Sequence, residues 1–375
     1  MSYRSSKRSR ANLNKRSSIL LIGLLILILS PYTFAFGLRS FKSISSHGQI
    51  NYHSHLKVKG VEWYRSPNVY SSTAAALSLQ ELKIRIPDCN YIEISLWTEM
   101  SGDICSPKTS LESDSRVAVE RAKALGYKVY ARIRAQSVSA ATLFHPDNLQ
   151  LWFQTYTETV VYWATLAEEW GVDALAVSCE VTKLEPYNAE WENLVGQVRS
   201  VFSGEIGYNT NLWNTDEELQ EKLSRTWFQS LDHIGVSCYW RMSQHPEPTV
   251  EELVNNWHNS FIWYIQGDDI VHDQLEVLSM EHGVPIIIVT GLASVSGASM
   301  TPWKYNDWDN PVVSWTEQAN WYEATLRVFV DEPWVAGFLF DSAWHTVTNK
   351  NPYNLEFNIQ DKPAEQVVAD WYSRG

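Results

Sequence analysis

Cysteine is scarce in this 375-residue chain, with four residues in all, and no Cys/His cluster stands at metal-ligand spacing. The sequence also has no Asn-x-Ser/Thr sequon, no glycine-rich phosphate loop, no internal repeat, no low-complexity tract and no second-domain linker. Neither a metal nor an organic cofactor is therefore expected. The missing sequon favours a bacterial envelope over a eukaryotic secretory lumen. One H-x-H pair, His53 and His55, sits in a Ser- and His-rich stretch without a Cys or Glu companion, and is read as no site. Basic charge is short as well: 30 Lys and Arg stand against 43 Asp and Glu, a net charge of −13. Seven of those basic residues, and no acid, fall within residues 1–40, which leaves 23 basic against 43 acidic groups in the rest. A body that acidic repels phosphate backbones, so nucleic acid is excluded as a partner.

Apolar residues, in contrast, make up 45% of the chain, enough for a large core and too many for global disorder. Tryptophan is unusually plentiful, 18 residues, the first at position 63. Most must be core; the remainder suits stacking on the apolar faces of sugar rings. Near the amino terminus six basic residues precede an uncharged run from Ser17 to Leu38, apolar without interruption from Ile19 to Leu29. Two readings stand. A signal peptide would end at the small residues Ala35 and Gly37. An uncleaved anchor would use all 22 uncharged residues, enough to span a bilayer. In both, the basic cluster stays inside and the large domain is extracytoplasmic. The expected division is a basic leader (1–17), an anchor or signal (18–38), a stalk (39–56) and one folded domain (57–375). Cys89 and Cys105 flank one predicted strand, and a bridge between them is left open; Cys179 and Cys238 lie in apolar runs and read as buried thiols.

From residue 57 onward, short β-rich runs alternate with helix-length segments. The runs are Val58–Trp63, Tyr91–Trp97, Lys128–Arg134, Ala174–Cys179, Ile206–Asn211, His233–Tyr239, Pro285–Thr290 and Val335–Phe340. The helical segments are Ser113–Leu125, Leu149–Trp170, Ala189–Phe202, Asp216–Leu231, Val250–Ile262 with Asp273–His282, and Thr316–Val330. Eight strands alternating with helices predict an α/β chain closed as a single (β/α)8 TIM barrel. A doubly wound open sheet brings a glycine-rich loop after its first strand, and Gly60-Val61-Glu62-Trp63 has none.

Barrel enzymes draw catalytic groups from the carboxyl ends of their strands. Glu180, directly after the fourth run, is the clearest candidate for a general acid; its bland alternative is a surface Glu paired with Lys183. Glu62, Glu99 and Asp341 are the other acids at strand ends. Arg132 and Arg134 end the third run, Asn211, Tyr239 and Trp240 end the fifth and sixth, and Trp97 and Trp344 close the second and eighth. Such a rim offers stacking faces, fixed hydrogen-bond partners and paired acids, which is what a sugar needs.

From about Val58 to its end the chain resembles glycoside hydrolase family 113, β-mannanase-like barrels of the retaining clan. The likeness is carried by Glu180 with Trp191, Leu194, Val198-Arg199 and Gly204 after it, by Gly207-Tyr208-Asn209-Thr210-Asn211, and by Leu231 through Tyr239. Trp334-Val335-Ala336-Gly337-Phe338 and Asp361-Lys362-Pro363-Ala364 extend it. The resemblance implies that Glu180 is the acid/base and that the ligand is a β-linked, mannan-like glycan. It also implies a nucleophilic Glu at the end of strand seven. There the chain reads Pro285-Ile286-Ile287-Ile288-Val289-Thr290-Gly291, which puts Thr290 in the nucleophile's place, and no acid occurs between Glu281 and Asp307. Gly297-Ala298-Ser299 and Pro302-Trp303 keep the family's spacing, so Trp303 joins the expected substrate-binding set of Trp97, Glu99, Arg132, Asn211, Tyr239, Trp240 and Trp344. A neutral Thr hydroxyl does not replace a carboxylate in double displacement. Three readings follow: a second carboxylate relocated to Asp341, with Glu62 and Glu99 behind it; a carbohydrate-binding barrel that has lost turnover; and a structural protein with a vestigial cleft.

Overall fold

A computed structural model describes residues 57–134, 142–259, 270–347 and 354–374. The leader, the apolar run and the stalk expected over 1–56 lie outside the described residues, as do His53 and His55. Among the described residues no helix is long and apolar enough to cross a membrane.

In chain order the strands are β1 (Val58–Tyr64), β2 (Tyr91–Ser101), β3 (Ile104–Pro107), β4 (Lys128–Arg134), β5 (Ala174–Cys179), β6 (Glu205–Asn211), β7 (His233–Ser237), β8 (Ile286–Thr290) and β9 (Val335–His345). All but β3 are parallel and pair in the order β1-β2-β4-β5-β6-β7-β8-β9, with β9 returning to β1. The expected (β/α)8 barrel is thus present. β3 folds back antiparallel on the far end of β2 as a hairpin beyond the rim, an element the sequence reading left out.

The helices are α1 (Thr73–Arg85), α2 (Glu112–Ala124), α3 (Leu149–Trp170), α4 (Asn188–Arg199), α5 (Asp216–Leu223), α6 (Val250–Trp257), α7 (Val271–His282), α8 (Trp315–Phe329) and α9 (Pro363–Tyr372). Their starts follow from side-chain caps: Ser72, Asn148, Thr215 and Ser314 accept from backbone N–H groups of the first turn, and Thr249 forms a capping box with Glu252. Gly171 and Gly283 end α3 and α7 in the left-handed conformation that glycine adopts without penalty. Two helices went unread. α1 exposes Leu77 and Ile84, which blurs its apolar stripe, and α9 starts at a proline that reads as a breaker but serves as an N-terminal residue. The helix expected over Asp216–Leu231 stops at Leu223, and Thr226–Ser230 forms a separate 3-10 turn.

The barrel interior is layered. Its floor is apolar, with Val58, Tyr91, Tyr130, Ala174, Ala176, Ile287, Val289, Ala336 and Leu339 packed together. Among the described residues eleven tryptophans are fully buried, ten of them elsewhere than on the cavity wall described below, so most of the aromatic surplus there is core packing between the barrel and its helices. All four cysteines are free and buried. Cys89 precedes β2 and Cys105 pairs with Met100 near its far end, ~30 Å along a strand rising about 3.3 Å per residue, beyond the reach of a disulfide.

Candidate active site

At the carboxyl end of the strands the barrel opens into a cavity of about 850 Å³. Glu180, Asp341, Trp97, Arg132, Asn211, Tyr239, Trp240 and Trp303, all expected from the sequence, line it together with Glu62 and Arg134. β5 and β9 stand on opposite sides of the eight-stranded ring, so Glu180 and Asp341 enter the cavity from facing walls.

Irregular backbone aims both acids. Between Ala176 and Cys179, β5 takes three steps while its partner β6 takes two, from Gly207 to Asn209. Between Phe340 and Trp344, β9 takes four steps against two on β1, from Val61 to Trp63. Such bulges twist a strand and re-aim the side chains beside them. Glu180, just past the first bulge, has φ 55°, and Ser342, next to Asp341, has φ 48°. These left-handed conformations cost a non-glycine residue of order 1–3 kcal/mol and persist only where the surroundings hold them. Here the Glu180 N–H donates to Asn209 O at 2.8 Å, and the Ser342 N–H to Glu62 Oε2 at 2.8 Å.

The two acids sit in different electrostatic settings. Glu180 is 7% exposed, and desolvation raises its pKa. The Ser237 hydroxyl, hydrogen-bonded to its carboxyl, works against that rise, and the charge of Asp341 adds to it. Asp341, with its side chain 15% exposed, is held from two sides: Arg132 Nη1 donates to Oδ1 at 3.1 Å and Tyr239 OH to Oδ2 at 2.7 Å. Behind it lies a group that sequence reasoning missed, the fully buried Glu93, paired with Arg132 and, at 3.4 Å, with Arg134. Burial first, then the neighbouring Glu62 and Asp341 charges, push Glu93 upward despite Arg132. Its signal was an acid in the otherwise apolar run Tyr91-Ile92-Glu93-Ile94. Glu62 spends both oxygens on Ser95, Arg134 and Ser342, which makes it a support for the rim. Ligand oxygens of Glu62, Glu93 and Asp341 lie within 4.8 Å of one another, but Arg132 and Arg134 already pair with all three and hold the place a cation would take.

Two expected binding residues lie elsewhere. Glu99 is exposed on the β2–β3 hairpin, past the rim, with Lys108 at 3.7 Å. Trp344 lies three residues beyond Asp341 on the outer face of β9, fully buried, its indole N–H donating to Ser78 O of α1 at 2.9 Å; in a strand, that spacing reverses the face. Thr290 is fully buried and does not line the cavity. Its hydroxyl donates to Cys238 O at 2.9 Å and accepts from Trp321 Nε1 of α8 at 3.2 Å. Ser237, Tyr305 and Phe357, none of them picked out from the sequence as site residues, also belong to the site: Tyr305 and Phe357 line the cavity and Ser237 supports Glu180. Apart from a position near a strand end for Ser237, nothing local marked them.

A buried carboxyl with a raised pKa, facing an ion-paired carboxylate with aromatic walls around them, is the kind of pair that acid–base chemistry on a sugar acetal uses. The sequence model of Glycoside Hydrolase Family 113 matches residues 60–362. No curated protein gives a match. Among solved structures, the GH113 β-mannanase AaManA from Alicyclobacillus acidocaldarius in complex with ManMIm is 21% identical, with a TM-score of 0.67 over 86% of this chain and 99% of its own. Another, described as a GH113 β-1,4-mannanase, gives a TM-score of 0.68 at 21% identity over 85% of this chain and 99% of its own. The β-glucuronidase from Ruminococcus gnavus, bound to uronic isofagomine, shares the barrel at 13% identity and a TM-score of 0.55, covering 84% of this chain and 50% of its own. At these identities the structural likeness speaks for the fold.

Proposed function

Given that the chain belongs to glycoside hydrolase family 113, we propose that it hydrolyses a β-linked, mannan-like oligo- or polysaccharide, with Glu180 as general acid/base and Asp341 as the second carboxylate. One observation carries the reading: a carboxyl whose pKa is raised by burial faces, across one cavity, a carboxylate held by a guanidinium group and a phenol. Glu180 gives its proton to the glycosidic oxygen as the bond breaks. Asp341 either attacks the anomeric carbon or takes a proton from the attacking water. Carboxyl groups about 5–5.5 Å apart lead to retention and about 6.5–9.5 Å to inversion, so the anomer first formed, read by NMR, tells which role Asp341 plays. Trp97 and Trp303 supply stacking faces, and Asn211 and Tyr239 supply polar partners, while Trp240 and Arg132, each 1% exposed, hold the wall from behind.

The test is reducing-end release from β-1,4-mannan by the full chain. Glu180→Gln and Asp341→Asn should each abolish it. A second reading, a barrel that binds glycan without turnover, draws on the end of β8, where neither Thr290 nor Gly291 offers an acid. Mannan binding without release, unaffected by Glu180→Gln, would establish that reading and end the first. From the basic leader and the apolar run we also propose that the barrel is held outside the cytoplasm; protease accessibility in intact cells tests this.

A further inference from the structure

The end of β8 leaves a gap in the barrel wall that another segment fills. Ile287 and Val289 face the barrel interior, so the next residue of that parity is Gly291. A Cβ at Gly291 would meet Phe357 Cδ2 at 2.6 Å and the backbone oxygen of Asp341 at 3.1 Å. The space a side chain would take is therefore occupied by the ring of Phe357, which arrives from the segment between β9 and α9. Phe357 is 5% exposed and lines the cavity. Its ring lies against that of Tyr239, with centroids 5.8 Å apart and planes 24° from parallel, and it is braced by the edge of Tyr305 at 4.9 Å. Tyr239 in turn donates to Asp341 Oδ2 at 2.7 Å.

We propose that Phe357 is a positioning residue for Asp341: seated in the space left by Gly291, it backs the Tyr239 ring and keeps its hydroxyl on the carboxylate. The inference rests on the reading of Asp341 as the second carboxylate. Its physical basis is that Arg132 at 3.1 Å and Arg134 at 3.7 Å both meet Oδ1, so rotation of the carboxylate about its own axis is stopped by the phenol on Oδ2. A phenol can hold a carboxylate still only if its ring cannot tilt. With Phe357 removed, the ring gains room beside Gly291 and the carboxylate loses its anchor on Oδ2. Displacements near 1 Å at a reacting group are enough to slow a reaction.

The full chain, assayed on β-1,4-mannan, tests this. Phe357→Ala should lower kcat ten- to hundredfold, a range typical of such misplacement, with little change in KM; Phe357→Leu should recover part of the loss. In a Tyr239→Phe background, Phe357→Ala should cost little more, because the hydroxyl it acts through is gone. Equal losses in both backgrounds, or a change confined to KM, would overturn the proposal. A melting cycle checks the packing without using activity: Gly291→Ala should lower Tm in the native chain and lower it less beside Phe357→Ala. An equal drop in both backgrounds would also overturn it. An inactive native chain would defeat the reading of Asp341 itself, whereas an active chain killed by Asp341→Asn but unmoved by Phe357→Ala would defeat this inference alone.

Discussion

Asp341→Asn separates a catalytic carboxylate from a structural one, because the two roles predict opposite changes in stability. The amide has nearly the same shape. Its oxygen still accepts from Arg132 Nη1, now 3.1 Å from Oδ1, and its NH₂ faces the Tyr239 oxygen, now 2.7 Å from Oδ2. What changes is charge. Arg132 and Arg134 are paired with the carboxyl groups of Glu62, Glu93 and Asp341, and burial together with the Glu62 and Asp341 charges holds Glu93 toward its protonated form. Neutralising Asp341 removes one of the charges that raise Glu93 and so lets Glu93 ionise beside Arg132, which keeps two carboxylates against the two guanidinium groups. The melting temperature should therefore hold within ~2 °C or rise, which for a domain of this size corresponds to about 1 kcal/mol or less. Activity should fall about 10³-fold or more, equivalent to about 4 kcal/mol of lost transition-state stabilisation. Calorimetry and kcat/KM on β-1,4-mannan, measured on one preparation, read both. A Tm drop above ~5 °C, or a variant that keeps most of its activity, would refute the assignment.

Other outcomes follow from the same geometry. Burial raises the Glu180 pKa and the Ser237 hydrogen bond opposes the rise; the acid works below its folded-state pKa and fails as pH climbs through it, so Ser237→Ala should move the alkaline limb of the kcat profile to higher pH. Glu93 is pushed up to about 8, chiefly by desolvation, so the folded state holds a proton that the unfolded chain releases near ~4.3. Stability from that group is complete below the unfolded value and is lost as pH rises through the folded one. Urea midpoints should decline over this window, and Glu93→Gln should flatten the slope. Thr290→Glu would bury a charge between Cys238 O and the Trp321 indole, outside the cavity; it should cost more than ~3 kcal/mol or prevent folding, and should not add hydrolysis.

Glu180 and Asp341 were legible because a barrel places functional side chains where apolar runs end, and both runs are unmistakable. The period-two rule, applied strictly, would also have kept Trp344 off the site, since it cannot share a face with Asp341 three residues earlier. The same rule, counted from Ile287 and Val289, directs Gly291 rather than Thr290 to the cavity. Glu99 failed for another reason: nothing local tells a strand's last rung in the barrel from its continuation into a hairpin.

By itself the sequence determined the alternation of strands and helices, the acidic body behind a basic leader, and the candidate acid after the fourth strand. Each of these is a local property, carried by residues within a few positions of one another. The tertiary structure alone decided which acids meet, because burial and charge act between residues far apart in the chain. Glu93, Arg132 and Asp341 come from three strands, and the bulges beside Glu180 and Asp341 arise from register between neighbouring strands. Phe357 reaches the end of β8 only once the chain has closed around the ring.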